Sequence, residues 1–230
     1  CPLLIAAVVS GHIASARCFY KALAALAVLE WIWGAPERAA RRRWLVLGGL
    51  CCGLAVGVKY TAVLLLCLPL GLAVLAVGLA RGGAWRERLA PAAVLAGCAL
   101  LAAAPWLVRN LIHTGNPVFP LLYGVFGGGD WSAAQAAKFA QAHAAPPIDA
   151  LKLLTDLWQF VTGHATGSSP GYAGPLAVVF IPLLLVPLLR REERGSVRFG
   201  PKAFLLCWAL AMMLLWGLAT HRISRFLTPA

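Results

Sequence analysis

The stretch WLVLGGLCCGLAVGVKYTAVLLLCLPLGLAVLAVGLA, residues 44–80, decides the fold, because it holds two apolar runs with a single charge between them. Residues 44–58 form one run and residues 60–80 form the other, and Lys59 lies where they meet. A helix that crosses a bilayer needs about 20 mostly apolar residues, with a range of roughly 17–25. Backbone groups in lipid must bond within their own segment. The stretch therefore predicts two membrane helices joined by a tight turn.

The composition of the whole chain agrees with this prediction. Of its 230 residues, 61% are hydrophobic and 12% are charged, and the mean hydropathy is +0.80. A soluble domain of this length carries about 25% charged and about 45–50% apolar residues. Too little polar surface remains to cover a globule in water. The composition excludes the soluble globular, disordered and disulfide-scaffold classes and favours a polytopic membrane protein.

Seven apolar runs are candidates for membrane spans. They are residues 1–14, 18–34, 44–58, 60–80, 89–108, 174–190 and 203–220. The chain begins inside the first run, so we expect that run to be the end of a truncated span. The predicted fold is all-α, a polytopic transmembrane helical bundle of about seven spans.

The distribution of Lys and Arg predicts which loops face the cytoplasm. Residues 35–43, 81–88 and 190–202 together hold 12 of the 20 Lys and Arg residues. Cytoplasmic loops carry an excess of these residues, so we place these three loops in the cytoplasm. The turn around Lys59 and the long segment 109–173 then lie on the opposite, outer face.

The segment 109–173 is too long for a simple connection, which favours a functional or partly helical loop. The run WSAAQAAKFAQAHA, residues 131–144, predicts a short helix with Asp130 as its N-cap. Apolar residues then recur at helical spacing from Ile148 to Val161, which predicts an amphipathic helix at the membrane interface. The segment is therefore expected to be a non-cytoplasmic loop that carries short helices.

Cations on the predicted outer face are the main candidates for binding chemistry. The ammonium of Lys59 either anchors the chain in the headgroup layer or neutralises a lipid-linked phosphate. Arg109 either complements the dipole at a helix C-terminus or grips a phosphate through two N–H groups. Arg222 and Arg225 share one face if HRISRF is helical, and this spacing is compatible with interface anchoring and with a paired phosphodiester site.

Acids, histidines and cysteines identify no catalytic group. The acids on the outer face are Asp130, Asp149 and Asp156, and the first two are explained as N-caps. A general base must be held rigidly near the reacting hydroxyl, and no acid here is marked for that role. The chain has no CxxC motif and no ligand set at metal-binding spacing. We expect no metal and no cofactor.

Three stretches carry a resemblance to a known family: GLAVGVKYTAVLLL (53–66), APWLVRNLIHTGNPVFPLLYGVFGG (104–128) and HRISRFLTPA (221–230). They resemble the multi-pass membrane glycosyltransferases of the GT-C superfamily, in particular the PMT-like/ArnT-like branch of glycosyltransferase family 39 and the RgtA/B/C/D-like proteins. They occur in the family's order and span most of the chain. The resemblance implies a single GT-C-like transmembrane domain over residues 1–230.

The resemblance also implies an activity. A sugar would pass from a polyprenyl-phosphate donor to a lipid, glycan or protein acceptor on the non-cytoplasmic face, with inversion at the anomeric carbon. The catalytic acid would lie in the first external loop, which is expected upstream of residue 1. Relatives tend to carry an Asp at the outer start of the span that here begins ASARCFYKA, where this chain has Ser15, Ala16 and Arg17.

Site residues follow from the same resemblance. The donor-phosphate candidates are Lys59, Arg109, Arg222 and Arg225. The substrate-binding loop would contain His113, Asn116, Tyr123, Asp130 and Trp131. The expected partners are the lipid-linked sugar, its acceptor and membrane lipids, with no nucleic acid.

Two other functions stay open at this point. A transporter or flippase of lipid-linked intermediates would carry ionisable residues at mid-membrane, whereas Lys21 and Glu30 lie near the ends of their predicted span. A non-catalytic membrane scaffold is favoured by the absent outer Asp. For each function the expected location is a bacterial inner membrane, with the site facing the periplasm or exterior.

Overall fold

The computed structural model describes residues 13–34, 37–129, 131–144 and 200–219, together with five single positions, 149, 151, 154, 155 and 158. The elements are α1 (Ile13–Leu29) with a π-helical extension (Glu30–Gly34), α2 (Arg38–Val58), a π-helical segment (Val63–Cys67) leading into α3 (Leu68–Ala80), α4 (Trp85–Thr114), α5 (Tyr123–Phe126), α6 (Ala133–His143) and α7 (Pro201–Ala219). The described part of the chain contains no strand. The all-α prediction is confirmed to that extent.

Two of the described helical stretches are long and apolar enough to cross a membrane. They are Val63–Ala80 and Trp85–Thr114. The predicted spans 18–34, 44–58 and 203–220 are helical wherever the structure describes them. Residues 174–190 and nearly all of 1–14 lie outside the described residues. The described residues thus form a helical structure with two candidate membrane spans. The total of seven spans stays a prediction.

The chain divides into two compact units, residues 20–144 and residues 1–19 with 145–230. We call residues 20–144 the central unit. Within it, α2 and α4 pack side by side, and α3 packs on α4. Both connections are short, at residues 59–62 and 81–84. The chain therefore runs up, down and up through three neighbouring helices, so that the end of α4 returns to the level of the 59–62 turn.

Glycines set how closely α2 and α4 approach each other. A Cβ added to Gly49 would lie 2.6 Å from the Cβ of Cys98, and a Cβ on Gly53 would lie 2.7 Å from that of Ala102 and closer still to the backbone oxygen of Ala99. Gly49 and Gly53 are four residues apart, which is the GxxxG spacing that lets two membrane helices touch through their backbones. The sequence GLCCG thus holds α2 against α4 without a side chain between them.

Helix α4 is longer than predicted. It runs from Trp85 to Thr114 and contains both Pro91 and Pro105. Each proline removes one backbone bond, but helices in membranes tolerate this because their neighbours support the freed group. The helix ends at Gly115, which has a φ of +73° and whose N–H donates to the oxygen of Leu111. The helix therefore continues beyond residue 108, where the predicted span ends, because glycine at 115 supplies the left-handed cap that stops it.

Two further predictions are corrected. Lys21 does not lie near the end of a span: α1 begins at Ile13 and continues helically to Gly34, and Lys21 is fully buried. Asp130 is not the N-cap of α6. That cap is Ser132, whose Oγ accepts from the N–H of Gln135, while Gln135 Oε1 accepts from the N–H of Ser132. The S-x-x-Q pair forms a complete capping box, and this local geometry decides the helix start.

Candidate functional site

The hydroxyl of Tyr60 joins three parts of the chain at one end of the central unit. It accepts from Asn110 Nδ2 at 2.6 Å and from Trp106 Nε1 at 3.0 Å, and it donates to the backbone oxygen of Pro117 at 3.5 Å. A phenolic hydroxyl can donate one hydrogen bond and accept two, so these three bonds use its full capacity. Tyr60 therefore ties the turn after α2 to the last turns of α4 and to the segment beyond.

This arrangement places Lys59 and Arg109 on neighbouring positions of one framework. Lys59 precedes Tyr60 and is half-buried. Its backbone N–H ends α2 by donating to the oxygen of Ala55 at 3.0 Å. Arg109 precedes Asn110 and is exposed, and its guanidinium carbon lies 5.2 Å from the ring centroid of Trp106. A guanidinium over an indole face gains cation–π stabilisation. Two cations are thus carried by residues adjacent to the Tyr60–Asn110 bond.

Residues 115–129, which we call the GNP segment, fold around the side chain of Asn116. This side chain is completely buried. Its Nδ2 donates to the oxygens of Leu121 at 2.8 Å and Gly127 at 3.0 Å, and its Oδ1 accepts from the N–H of Val118 at 3.0 Å. One side-chain amide therefore satisfies three backbone groups that have no helical hydrogen-bond partner, and it gives an irregular segment a defined shape.

Aromatic rings continue the site from the GNP segment to α6. Tyr123 Oη donates to the oxygen of Trp131 at 2.7 Å. The ring of Trp131 packs edge-on against Phe119 at 5.0 Å and against Phe139 at 5.5 Å, measured between centroids. His143 stacks on Phe139 at 4.0 Å. These contacts connect two predicted loop residues, Tyr123 and Trp131, to the same segment as Asn116.

An exposed apolar surface lies on the outside of the GNP segment. We call it the apolar knuckle: Leu121, Leu122, Val125 and Phe126, which are 42%, 59%, 73% and 47% exposed. Leu122 has a φ of +51°, a left-handed conformation that costs a non-glycine residue of order 1–3 kcal/mol. The backbone is thus held in an unfavourable conformation while it presents apolar side chains outward.

The remaining predicted site residues are only partly covered. His113 lies exposed in the last turn of α4. Asp130, Arg222 and Arg225 lie outside the described residues, so the predicted grouping of four cations rests here on Lys59 and Arg109. Among the described residues no cluster of His, Cys, Asp or Glu could hold a metal ion. The described part of the predicted site is therefore built of cations, amides and aromatic rings.

Sequence reasoning missed three residues that assemble this end of the unit: Tyr60, Trp106 and Asn110. Each lies within KYT (59–61) or PWLVRN (105–110). In these stretches the sequence pattern drew attention only to the charged residues, Lys59 and Arg109. The available signal was the polar character of Asn110 in an otherwise apolar run. Its side chain is only 6% exposed, and a buried amide requires hydrogen-bond partners.

Lys59 and Arg109 provide groups that can bind an anion. An ammonium and a guanidinium form charge-assisted bonds with phosphate oxygens, and the neighbouring apolar knuckle can contact hydrocarbon. The Tyr60 bonds keep the supporting backbone in place before any ligand arrives, which reduces the ordering cost of binding.

Comparison with known proteins gives a family and no activity. No curated protein and no solved structure matches the chain. Residues 18–220, nearly the whole chain, match the family described as "Domain of unknown function (DUF8201)". The chain belongs to this DUF8201 family.

Proposed function

We propose that this chain is part of an integral-membrane glycosyltransferase that takes its sugar from a polyprenyl-phosphate donor and transfers it, on the non-cytoplasmic face, to a lipid, glycan or protein acceptor. The observation that carries the proposal is the Tyr60 assembly, which supports Lys59 and Arg109 at one end of the central unit. The resemblance to GT-C enzymes motivates it.

The proposed transfer reaction requires cations beside the lipid phosphate of the donor. As the glycosidic bond breaks, negative charge develops on the departing lipid phosphate. Preorganised cations in a site with little water stabilise that charge in the transition state. Lys59 would neutralise it as a point charge, and Arg109 would bind two phosphate oxygens through its planar fork.

The neighbouring surfaces fit the rest of such a donor. Its isoprenoid chain is a hydrocarbon, and the apolar knuckle offers exposed apolar contacts on the segment that Asn116 organises. The sugar would lie against the rings of Tyr123 and Trp131, because aromatic faces contact the apolar faces of sugars. Arg222 and Arg225 stay candidates for the same phosphate.

The test is sugar transfer by the full-length protein in membranes supplied with radiolabelled polyprenyl-phosphate sugars. We expect Lys59→Ala and Arg109→Ala each to lower turnover about 100-fold, the scale on which lost transition-state donors act. Membrane insertion should be unchanged, as measured by resistance to alkaline extraction. Lys138→Ala is the matched control, since Lys138 is an exposed cation on α6 with no part in the Tyr60 assembly. Wild-type turnover in both variants would refute the phosphate site.

A lipid-intermediate flippase is the second candidate, and one observation favours it. Lys21 is fully buried in the middle of the α1 helical stretch, and an ionisable residue inside a membrane helix often marks a transport path. The same membranes distinguish the two functions. Movement of the labelled donor across the bilayer with neither transfer nor hydrolysis of its sugar would favour the flippase.

A further inference from the structure

The end of the central unit opposite to Tyr60 contains a basic cavity of about 860 Å³. It opens among the first turns of α2, the end of α3 and the start of α4. Its charged lining consists of Arg38, Arg41, Arg42, Arg81 and Glu87. Four guanidinium groups thus face one carboxylate around a cavity large enough for a small organic ion.

Arg81 is held in position by neutral groups. Its Nη2 donates to the backbone oxygens of Trp31 at 3.5 Å and Ile32 at 3.2 Å, and its guanidinium carbon lies 4.4 Å from the ring centroid of Trp31. These oxygens lie in the last helical turn of the α1 extension, where carbonyls lack helical donors. Both bonds come from one nitrogen, and a guanidinium has five N–H donors. Arg81 therefore has further donors with which to bind an anion.

The electrostatics favour an added negative charge. Burial lowers the pKa of Arg81 below its ordinary value, and the nearby guanidinium of Arg41 lowers that pKa further. Like charges at short range raise the energy of the site. The one carboxylate, Glu87, is engaged by its own helix, since its Oε2 accepts from the N–H of Ala84 at 3.4 Å.

Helix orientation acts in the same direction. Both α2 and α4 begin at this end of the unit, at Arg38 and Trp85. A helix N-terminus carries a partial positive charge, and the N-cap position of α2, Glu37, makes no capping bond through its side chain. Two helix dipoles thus add to the positive potential of the arginines.

Part of the cavity wall is apolar. It is formed by Leu45 on α2 and by Pro91 and Val94 on α4. The exposed ring of Trp85 begins the same helix, and exposed tryptophan at the end of a membrane helix is typical of the headgroup level of a bilayer. A ligand for this cavity therefore has an anionic end and a hydrocarbon end.

We infer that this cavity binds the phosphate headgroup of an anionic phospholipid, with the phosphate on Arg42 and Arg81 and the acyl chains along Leu45 and Val94. The shared chemistry is a phosphate oxyanion held by guanidinium groups. The choice of a lipid over a free phosphate ion rests on the apolar wall. This site lies at the other end of α2 from Lys59, so it is independent of the proposed donor site.

Two adjacent arginines provide a matched pair for the test. Arg42 and Arg43 are both exposed, but Arg42 lines the basic cavity, while Arg43 lines a separate hollow with Ala40, Trp44 and Leu47. Arg42→Gln and Arg43→Gln remove the same charge from neighbouring positions. Arg81→Gln is the third variant, and because it also removes the bonds to α1, Arg42→Gln keeps the test decisive if the Arg81 variant fails to fold.

The full chain is purified in neutral detergent and placed in bilayers of phosphatidylcholine with or without phosphatidylglycerol. Retained lipid is measured by native mass spectrometry, and thermal protection is measured in parallel, with inorganic phosphate as a separate arm. We expect phosphatidylglycerol to be retained by the wild type and by Arg43→Gln, and its affinity to fall about tenfold in Arg42→Gln and Arg81→Gln.

Three results would overturn the inference. Equal losses of phosphatidylglycerol affinity in Arg42→Gln and Arg43→Gln would show that general surface charge, and not the cavity, retains the lipid. Unchanged affinity in both Arg42→Gln and Arg81→Gln would remove the site. Protection by inorganic phosphate with none from phosphatidylglycerol would overturn the choice of a lipid as the ligand.

Discussion

Single polar side chains organise the Tyr60 end of the central unit. Tyr60 connects the turn at residues 59–62 to α4, and Asn116 closes the GNP segment on itself. Both side chains bond to groups that are distant along the chain or lie in irregular backbone. Such contacts carry no periodic signal, so the sequence predicted the charged residues of this end and missed Tyr60 and Asn110.

Replacing Asn116 should loosen the GNP segment. Asn116→Ala leaves the oxygens of Leu121 and Gly127 and the N–H of Val118 without their bonds, and a buried group left unpaired costs about 1–3 kcal/mol. We expect protease cleavage within residues 115–129 of the reconstituted protein to accelerate at least about tenfold. Limited proteolysis with mass mapping of the fragments measures this.

Gln135→Ala is the control for this substitution. It also removes a side-chain bond to backbone, that between Gln135 Oε1 and the N–H of Ser132, but at an exposed capping box, where the loss is about 1 kcal/mol. Cleavage of the GNP segment should stay at the wild-type rate in that variant. Equal cleavage in Asn116→Ala and wild type would show that Asn116 does not hold the segment.

At the scale of elements, the contact between α2 and α4 depends on glycine at particular positions. Gly53→Ala places a Cβ against the backbone oxygen of Ala99, whereas a Cβ at Gly57 meets nothing within 4 Å. Overpacking costs typically 1–3 kcal/mol, while Gly→Ala in a helix gains up to about 1 kcal/mol from propensity. We therefore expect Gly53→Ala to lower, and Gly57→Ala to preserve or raise, the thermal unfolding midpoint in detergent. A loss of stability in Gly57→Ala that matches the loss in Gly53→Ala would contradict the close helix contact.

The helix bounds show which elements could be predicted from the sequence. Hydropathy predicted helices at 44–58 and 60–80, and both stretches are helical, but α2 begins at Arg38, inside the predicted loop 35–43. The arginines of this first turn hid the helix start, because they interrupt the apolar pattern on which the prediction rests. The prediction also missed the extension of α4 beyond residue 108, because Arg109 and Asn110 interrupt the apolar pattern without breaking the helix. It assigned the cap of α6 to Asp130 because two cap formers, Asp130 and Ser132, stand two residues apart. The S-x-x-Q spacing of Ser132 and Gln135 was the signal that selects Ser132.

At the scale of the central unit, two chemically different ends are separated by the length of α2. This helix has 21 residues and spans about 30 Å, the thickness of a hydrocarbon core. The arginine cavity lies at its start and Lys59 at its end. This polarity follows from charge placement alone and predicts that the two ends face opposite sides of one membrane.

Cysteine labelling in intact cells tests that polarity. In a variant whose native cysteines are replaced, Glu37→Cys marks the arginine end and Lys138→Cys marks α6, and both positions are exposed. The positive-inside bias places the arginine end in the cytoplasm. A membrane-impermeant maleimide should therefore label Lys138→Cys in intact cells and label Glu37→Cys only after the cells are opened. Labelling of both positions in intact cells would place the two ends on the same side, and the central unit would then not cross the membrane as its charges predict.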